Sequence, residues 1–156
     1  MNYYDHIAEG YNELHKEEQI KKVNLIIKLL NIDSESVLDV GCGTAFYSEL
    51  FVDYTGIDNS KGMIDLSKAN VVLGDAADLP FDDNSFDCVI SVTALQNVKD
   101  YKEAISEIKR IAKNKIAISI LKKSENLKNI RNLLSDFESF EEDKDIIFYK
   151  LVEHSE

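Results

Sequence analysis

The stretch VLDVGCGTA at residues 37–45 decides the fold. An apolar run with an acid near its end stops at two glycines, and Phe46, Tyr47, Leu50 and Phe51 then follow at helical spacing. This pattern predicts a strand, a tight turn and a helix. In an open parallel sheet, ligands lie outside the carboxyl ends of the strands, and glycines there let the backbone approach a ligand closely. The turn is therefore a candidate nucleotide site.

The residues that the turn lacks indicate which nucleotide it binds. The dinucleotide fingerprint needs a third glycine where this chain has Phe46, and no lysine follows the glycines as it does in the phosphate-binding loop of NTPases. What remains is Asp-x-Gly-x-Gly-x-Ala at residues 39–45, which resembles motif I of class I S-adenosylmethionine methyltransferases. Ala45 replaces the third glycine of that motif, and its single methyl group should not close the turn. A nucleotide-dependent oxidoreductase with a degenerate turn is the least favoured alternative.

Strands and helices alternate along the rest of the chain, which favours βαβ units and a doubly wound α/β fold with helices on both faces of a parallel sheet. A direct turn at residues 141–144 implies an antiparallel strand at the sheet edge. The methyltransferase resemblance implies the same Rossmann-like sheet of seven mostly parallel strands. The further strands are expected at residues 54–58, 71–73, 86–91, 116–120, 137–140 and 146–149, and the helices at residues 17–30, 60–68, 101–112 and 127–134, with Asp100 and Glu103 as a capping box before the third of these.

The chain is expected to form one domain over residues 1–156. Residues 1–31 would be an N-terminal helical lid segment, residues 36–120 the cofactor-binding core, and residues 121–156 a helix and a C-terminal hairpin. The stretch at residues 3–14 contains Gly10, which weakens a helix. We therefore expect a short helix there that orders over a ligand, the alternative being a helix packed permanently on the sheet.

The charge and composition exclude several classes of function. The net charge is −11, and residues 31–100 alone hold thirteen acids against three lysines, so unaided binding to nucleic acid is not expected. A cationic ligand would be favoured, although solvated acids at strand ends and on helix surfaces explain most of this charge. No apolar run approaches the length of a membrane span and no signal peptide is evident, so a cytoplasmic location without membrane attachment is expected. Cys42 and Cys88 show neither metal spacing nor a disulfide framework, and His6, His15 and His154 are scattered and expected on the surface, so no metal site is expected.

Three further segments match the methyltransferase pattern in order. Asp58 ends the second predicted strand seventeen residues after Gly41, near the offset at which an acid binds ribose hydroxyls. The stretch GDAADLPF at residues 74–81 resembles the family segment in which the acid binds the adenine amino group. The stretch DDNSFDCVIS at residues 82–91 resembles the segment that leads into strand four. In addition to these three, an N-terminal Tyr-Asp-x-x-Ala-x-x-Tyr at residues 4–11 resembles the family segment before motif I. The match is to small class I methyltransferases of the methyltransferase-11 type.

This resemblance implies a binding site for S-adenosylmethionine, with S-adenosylhomocysteine as the product. The implied cofactor-binding residues are Tyr11, Asp39, Gly41, Cys42, Gly43, Thr44, Asp58, Asn59, Met63, Asp75, Ala76, Ser91 and Val92.

The acceptor side of the site is expected after strand four, in SVTALQN at residues 91–97. A sulfonium is an activated methyl donor, so alignment of the acceptor supplies much of the rate and a general base is optional. The segment lacks the Asn-Pro-Pro-Tyr of amine methylation and a cysteine for pyrimidine methylation. Thr93 and Gln96 are the acceptor-side candidates, although glutamine cannot take a proton at neutral pH. The predicted function is methyl transfer to an unidentified acceptor, small or macromolecular.

A non-catalytic or partner-dependent cofactor-binding subunit is the main alternative. Residues 90–96 also resemble the equivalent stretch of ribosomal-RNA guanine-N7 methyltransferases that work with a small activator protein. A protein partner or a homodimer would be favoured by exposed apolar surface around Leu95 or along Ile20 and Ile27.

Overall fold

The computed structural model describes residues 3–152, with side chains from residue 13 onward. Its four helices are α1 (Tyr3–Leu30), α2 (Lys61–Leu66), α3 (Tyr101–Ile111) and α4 (Leu127–Leu133), with short 3₁₀ turns at Ser48–Leu50 and Leu95–Asn97. Its seven strands are β1 (Ser36–Val40), β2 (Asp53–Asp58), β3 (Val71–Leu73), β4 (Phe86–Val92), β5 (Ala112–Leu121), β6 (Glu138–Glu141) and β7 (Asp145–Leu151). No helix within residues 3–152 combines the length and the apolar character that a bilayer crossing requires.

The strands form one sheet in the order β3-β2-β1-β4-β5-β7-β6. β1 to β5 pair in parallel, whereas β7 runs antiparallel to both β5 and β6. The predicted Rossmann-like sheet with one reversed strand is confirmed, and the reversed strand lies second from the edge. The chain runs outward from β1 to β3 and then crosses back to β4, so the carboxyl ends of β1 and β4 flank the crevice where such sheets bind ligands.

A hydrophobic core covers each face of the sheet because the strand side chains alternate between faces. On one face, Val23, Ile26 and Leu30 of α1 pack with Val37 and Ile90 of the sheet. On the opposite face, the cluster includes Leu38, Val40, Val89, Ile105, Ile108, Ile118 and Ile130, contributed by β1, β4, β5, α3 and α4. α1 and the α3–α4 pair are thereby fixed on opposite faces.

The prediction of a helix directly after the glycine turn is wrong, because only the 3₁₀ turn at Ser48–Leu50 forms there. Residues 41–45 form the turn itself, which leaves seven residues before β2 begins. An α-helix of seven residues rises about 10 Å, whereas returning along the five paired residues of β1 and β2 needs about 13 Å. The connection is too short for an α-helix, and a more extended path replaces it.

Two other local predictions differ from the structure. α1 is one continuous helix from Tyr3 to Leu30 rather than a short helix followed by a longer one. Residues 14–17 contain neither glycine nor proline, and a single Gly10 costs only about 1 kcal/mol in a helix. The capping box is also wrong: the Asp100 side chain makes no cap hydrogen bond, since its backbone angle ψ of 51° is not the extended conformation that a cap needs.

Candidate functional site

The glycine turn after β1 is held open by left-handed backbone conformations. Gly41 and Gly43 have φ of +78° and +58°, and the N–H groups of Gly41 and Cys42 donate to the carbonyl of Ile57 at 2.8 and 3.1 Å. A Cβ atom at Gly41 would lie 2.6 Å from the Cβ of Ala94. A Cβ at Gly43 would meet no heavy atom of the described chain within 4 Å. Gly41 is therefore required by close packing, and Gly43 leaves a free backbone face.

Ala45, which stands where motif I has its third glycine, is also left-handed with φ of 53°. This conformation is uncommon for a residue with a side chain. The Ala45 methyl group is buried below the turn, and the Gly43 face stays open, as expected from the sequence.

Two cavities lie on either side of this turn and meet at Gly41 and Thr93. The first cavity, of about 720 Å³, is formed by the segments that follow β2, β3 and β4. The second cavity, of about 780 Å³, is formed by the turn itself, α1, α2 and the end of β4. Both volumes lie in the range of small-molecule and cofactor sites.

The first cavity brings together four of the residues expected to bind a nucleoside: Asp58 and Asn59 after β2, and Asp75 and Ala76 after β3. The Asp58 carboxylate accepts hydrogen bonds from the N–H groups of Gly43 at 2.8 Å and Ser60 at 2.9 Å. The Asp75 carboxylate accepts one from the N–H of Ala77 at 2.9 Å. Both acids are thus oriented by backbone donors at the rim of one cavity, and an acid accepts from hydroxyl or amine donors.

Asp39 occupies a different place from the rest of the expected site. It is fully buried below the turn, lines neither cavity, and accepts hydrogen bonds from the hydroxyls of Tyr47 at 2.5 Å and Tyr54 at 2.6 Å. Burial raises the pKa of the Asp39 carboxyl to about 6, although the two tyrosine hydroxyls oppose this rise. Asp39 supports the turn from beneath, together with two aromatic residues that the sequence did not connect with it.

The second cavity is lined by Cys42, Gly43, Thr44, Met63 and Val92, all of which the sequence assigned to the cofactor. Burial raises the pKa of the Cys42 thiol far above its usual range, so Cys42 serves as a small neutral side chain rather than as a nucleophile. Ser91, also expected in the site, is buried and lines neither cavity; its hydroxyl donates to the carbonyl of Val40 at 2.8 Å. The side chain of Tyr11 lies outside the described residues.

Three residues of α1 that the sequence did not assign to the site also line the second cavity: His15, Lys16 and Gln19. The expectation that His15 lies on the exposed surface is wrong, because it is partly buried against this cavity; His6 and His154 lie outside the described side chains. Helical spacing in the sequence could have identified these α1 residues. His15, Gln19 and Lys22 continue, at helical intervals, the stripe that buries Val23, Ile26 and Leu30.

Burial lowers the pKa of the His15 imidazole below its usual value, and the charge of Lys22 lowers it further. The Gln19 amide is buried, and its Oε1 atom has no hydrogen-bond partner among the described residues.

The two acceptor-side candidates have unequal positions. Thr93 lies where the cavities meet, with its backbone left-handed at φ of 52°. Gln96 lines neither cavity and instead donates from Nε2 to the carbonyl of Thr93 at 3.0 Å. Gln96 therefore supports Thr93 rather than facing a ligand.

Residues 38–120 match the family described as the methyltransferase domain. This chain belongs to that methyltransferase family. The chain is similar to a demethylmenaquinone methyltransferase of Thermotoga maritima. The two sequences are 28% identical over 138 residues, a match that covers 78% of this chain and 60% of the relative. The chain spans about half the length of the curated relatives it matches.

The methyltransferase fold extends over almost the whole chain. A Methanococcus maripaludis protein assigned as an S-adenosyl-L-methionine-dependent methyltransferase matches with a TM-score of 0.79 and 20% identity, covering 96% of this chain and 93% of that one. A chain of the complex between the Haloferax volcanii Trm112 methyltransferase activator and a methyltransferase matches with a TM-score of 0.75 and 17% identity, covering 94% and 96%.

S-adenosylmethionine is the cofactor expected of this methyltransferase family. The residues present fit it. The open backbone face at Gly43 admits a ligand across the turn, and Asp58 and Asp75 offer acceptors for the hydroxyl and amine donors of an adenosine.

Proposed function

We propose that this chain transfers a methyl group from S-adenosylmethionine to an acceptor at the junction of the two cavities. The observation that carries the proposal is the meeting of these cavities at Gly41 and Thr93, beyond the carboxyl ends of β1 and β4. In this arrangement Asp58 and Asn59 hold the ribose side of an adenosine, and Asp75 and Ala76 hold its base. The rest of the cofactor crosses the turn at Gly43 toward the second cavity, from which the acceptor also enters.

The bound cofactor supplies an activated methyl group, so the chain itself has mainly to bind, align and exclude water. The free backbone face at Gly43 allows close approach, and Thr93 forms the wall at which the two ligands meet. Where the acceptor has to lose a proton, His15 is suited to accept it, because its lowered pKa leaves the imidazole neutral at physiological pH. Gln96 has neither the position nor the chemistry for that role.

Binding is the first test. Calorimetric titration of the full chain with S-adenosylmethionine should show saturable one-to-one binding, whereas NAD should give none. The converse result, with NAD bound and S-adenosylmethionine ignored, would remove the proposal.

The acceptor requires a separate experiment. Cell extract would be divided into RNA, protein and small-molecule fractions, and each would be incubated with the chain and methyl-labelled S-adenosylmethionine. Demethylmenaquinone, which the name of the Thermotoga relative indicates for that protein, is included as a defined acceptor. Label should enter one fraction and depend on the chain; incorporation into none would favour a non-catalytic role.

The partner-dependent alternative gains less support. Of the three residues whose exposure would have favoured a partner, Leu95 is fully buried and Ile27 is partly buried, whereas Ile20 is 38% exposed. The similarity to the Haloferax complex is one of fold. A stable monomer in light scattering that methylates an acceptor unaided would exclude this alternative.

A further inference from the structure

Thr93 combines a strained backbone with a central position in the site. It is the residue at which the two cavities meet after β4, and its φ of 52° lies in the left-handed region. A β-branched residue adopts that region only when its surroundings force it to, and such strain concentrates at functional sites. The next residue, Ala94, packs so closely on the glycine turn that a Cβ at Gly41 would lie 2.6 Å from it. The conformation of Thr93 therefore sets how the chain after β4 meets the turn.

Every polar atom of Thr93 is held by a hydrogen bond. Its N–H donates to the carbonyl and the hydroxyl of Ser119 on β5, at 3.0 and 2.9 Å, and its carbonyl accepts from Gln96 at 3.0 Å. Its hydroxyl donates to Oδ2 of Asp145 at 2.7 Å and accepts from Nζ of Lys22 at 2.9 Å. The side chain is thus clamped between one acid and one base.

The clamp is a buried ion pair that joins opposite ends of the described chain. Lys22 of α1 lies 3.1 Å from Oδ1 of Asp145, the first residue of β7, and their side chains are 6% and 0% exposed. The desolvation of two buried charges offsets much of their attraction, so a pair like this is weak evidence for a stabilising role. Because both members of the pair contact Thr93, the strained residue of the site, a positioning role is indicated instead.

We propose that the Lys22–Asp145 pair holds Thr93 in its left-handed conformation and so fixes the wall at which the two cavities meet. Lys22 and Asp145 are positioning residues, and α1 and the β6–β7 hairpin reach the site through them. This inference rests on the proposed methyltransferase function, since it takes the junction of the two cavities as the place where cofactor and acceptor meet.

Two substitutions at Thr93 distinguish a positioning role of the ion pair from a role of the Thr93 side chain in packing alone. The measured quantity is the affinity for S-adenosylhomocysteine, by calorimetry. Thr93→Val keeps the shape but removes the hydroxyl, so the clamp is lost while Lys22 and Asp145 still pair with each other. Thr93→Gly removes the shape but adopts the left-handed region without strain. Both variants lose contacts at the cavity wall, and we expect the valine variant to bind about tenfold more weakly than the glycine variant. If packing alone mattered, the order would be reversed, and that order would overturn the inference.

A second comparison tests the ion pair itself. Lys22→Met/Asp145→Leu replaces the pair with apolar residues of similar size, a change that often preserves folding. It should weaken binding about tenfold when Thr93 is present but add less than about threefold when Thr93→Gly is present. Equal losses in the two backgrounds would contradict a role through Thr93.

The matched control is the neighbouring pair Glu18–Lys144, at 2.7 Å, which also joins α1 to the hairpin but is exposed and does not contact Thr93. Glu18→Leu/Lys144→Met should leave the affinity unchanged, and denaturant unfolding of every variant confirms that it is folded. Failure of the wild-type chain to bind S-adenosylhomocysteine would remove the proposed function and this inference together. Wild-type binding with the reversed order at Thr93 would remove only the inference.

Discussion

Oδ2 of Asp58 accepts a hydrogen bond from the N–H of Gly43 at 2.8 Å, which ties the acid at the end of β2 to the open face of the glycine turn after β1. The two sequence features that suggested a nucleotide site are therefore in direct contact. A ligand that crosses the turn at Gly43 passes beside the Asp58 carboxylate, which gives this acid a measurable role.

Asp58→Ala should weaken S-adenosylmethionine binding by about 1.5–3 kcal/mol, the range for hydrogen bonds to a charged group. Calorimetry gives the affinity, and unfolding in denaturant corrects for the lost contact with Gly43. Asp65→Ala is the control, because it removes the same charge from the exposed side of α2, outside both cavities. Equal affinity in wild type and a folded Asp58 variant would show that this acid only orders the backbone.

Alanine at the two turn glycines should have separable effects. Both substitutions force a side chain into the left-handed region, which costs about 1–2 kcal/mol of the free energy of unfolding. Gly41→Ala should cost more, because its methyl group would collide with Ala94. Gly43→Ala has no such collision, so it should fold and yet lose affinity for S-adenosylmethionine, whose path its methyl group would enter.

Gly62→Ala on α2 is the control for this pair of variants. Its new methyl group would have Ser60 Oγ as its nearest neighbour at 3.8 Å, and alanine stabilises a helix by about 0.5–1 kcal/mol relative to glycine. A Gly43→Ala variant with undiminished affinity would place the cofactor elsewhere.

The pH dependence of stability should report on Asp39. Its pKa is raised from 3.8 to about 6 on folding, so the folded state binds this proton more tightly and stability falls as the pH rises through that window. About two pKa units correspond to roughly 3 kcal/mol. As the pH rises from about 4 to about 7, the free energy of unfolding of Asp39→Asn should increase relative to that of wild type by up to this amount, as measured by denaturant unfolding. Asp53→Asn, at the exposed start of β2, is the control for the change in net charge. If the stability difference between Asp39→Asn and wild type did not depend on pH, ionisation of a buried Asp39 carboxyl would be contradicted.

The imidazole of His15 should titrate with a pKa below 6.5. Burial and the nearby Lys22 both disfavour its proton, while Glu18 opposes them weakly. The folded state then binds this proton less tightly than the unfolded chain, so stability declines as the pH falls through 6.5. NMR titration gives the pKa, with His15→Gln assigning the signal. Lys22→Met/Asp145→Leu should raise the value, and a wild-type midpoint above 6.5 would place His15 outside the cavity.

The sheet could be predicted because its information is local. Strands such as β3 and β4 are short apolar runs bounded by polar residues, and the acids that follow β2 and β3 align at one edge once the strands are parallel. Asp58, Asp75 and Gly43 therefore converge as expected. The helix after the turn could not be judged from the spacing of Tyr47 and Phe51, because burial on an irregular path produces the same spacing.

The rest of the site depends on packing between distant segments. Asp39 was assigned to the ligand, but the hydroxyls of Tyr47 and Tyr54 reach it only because β2 pairs with β1. The Lys22–Asp145 contact spans most of the described chain, and a lysine at a buried helical position gives no indication of its partner. Local hydrophobic periodicity does not predict contacts between segments that are distant in sequence.

The most direct test of the account is a calorimetric titration of the full chain with S-adenosylmethionine, repeated for Asp58→Ala and Asp65→Ala. The wild-type chain should bind at one saturable site, and binding should be weakened by about 1.5–3 kcal/mol in Asp58→Ala and unchanged in Asp65→Ala. Absence of binding at millimolar ligand, or equal affinity in all three proteins, would contradict it.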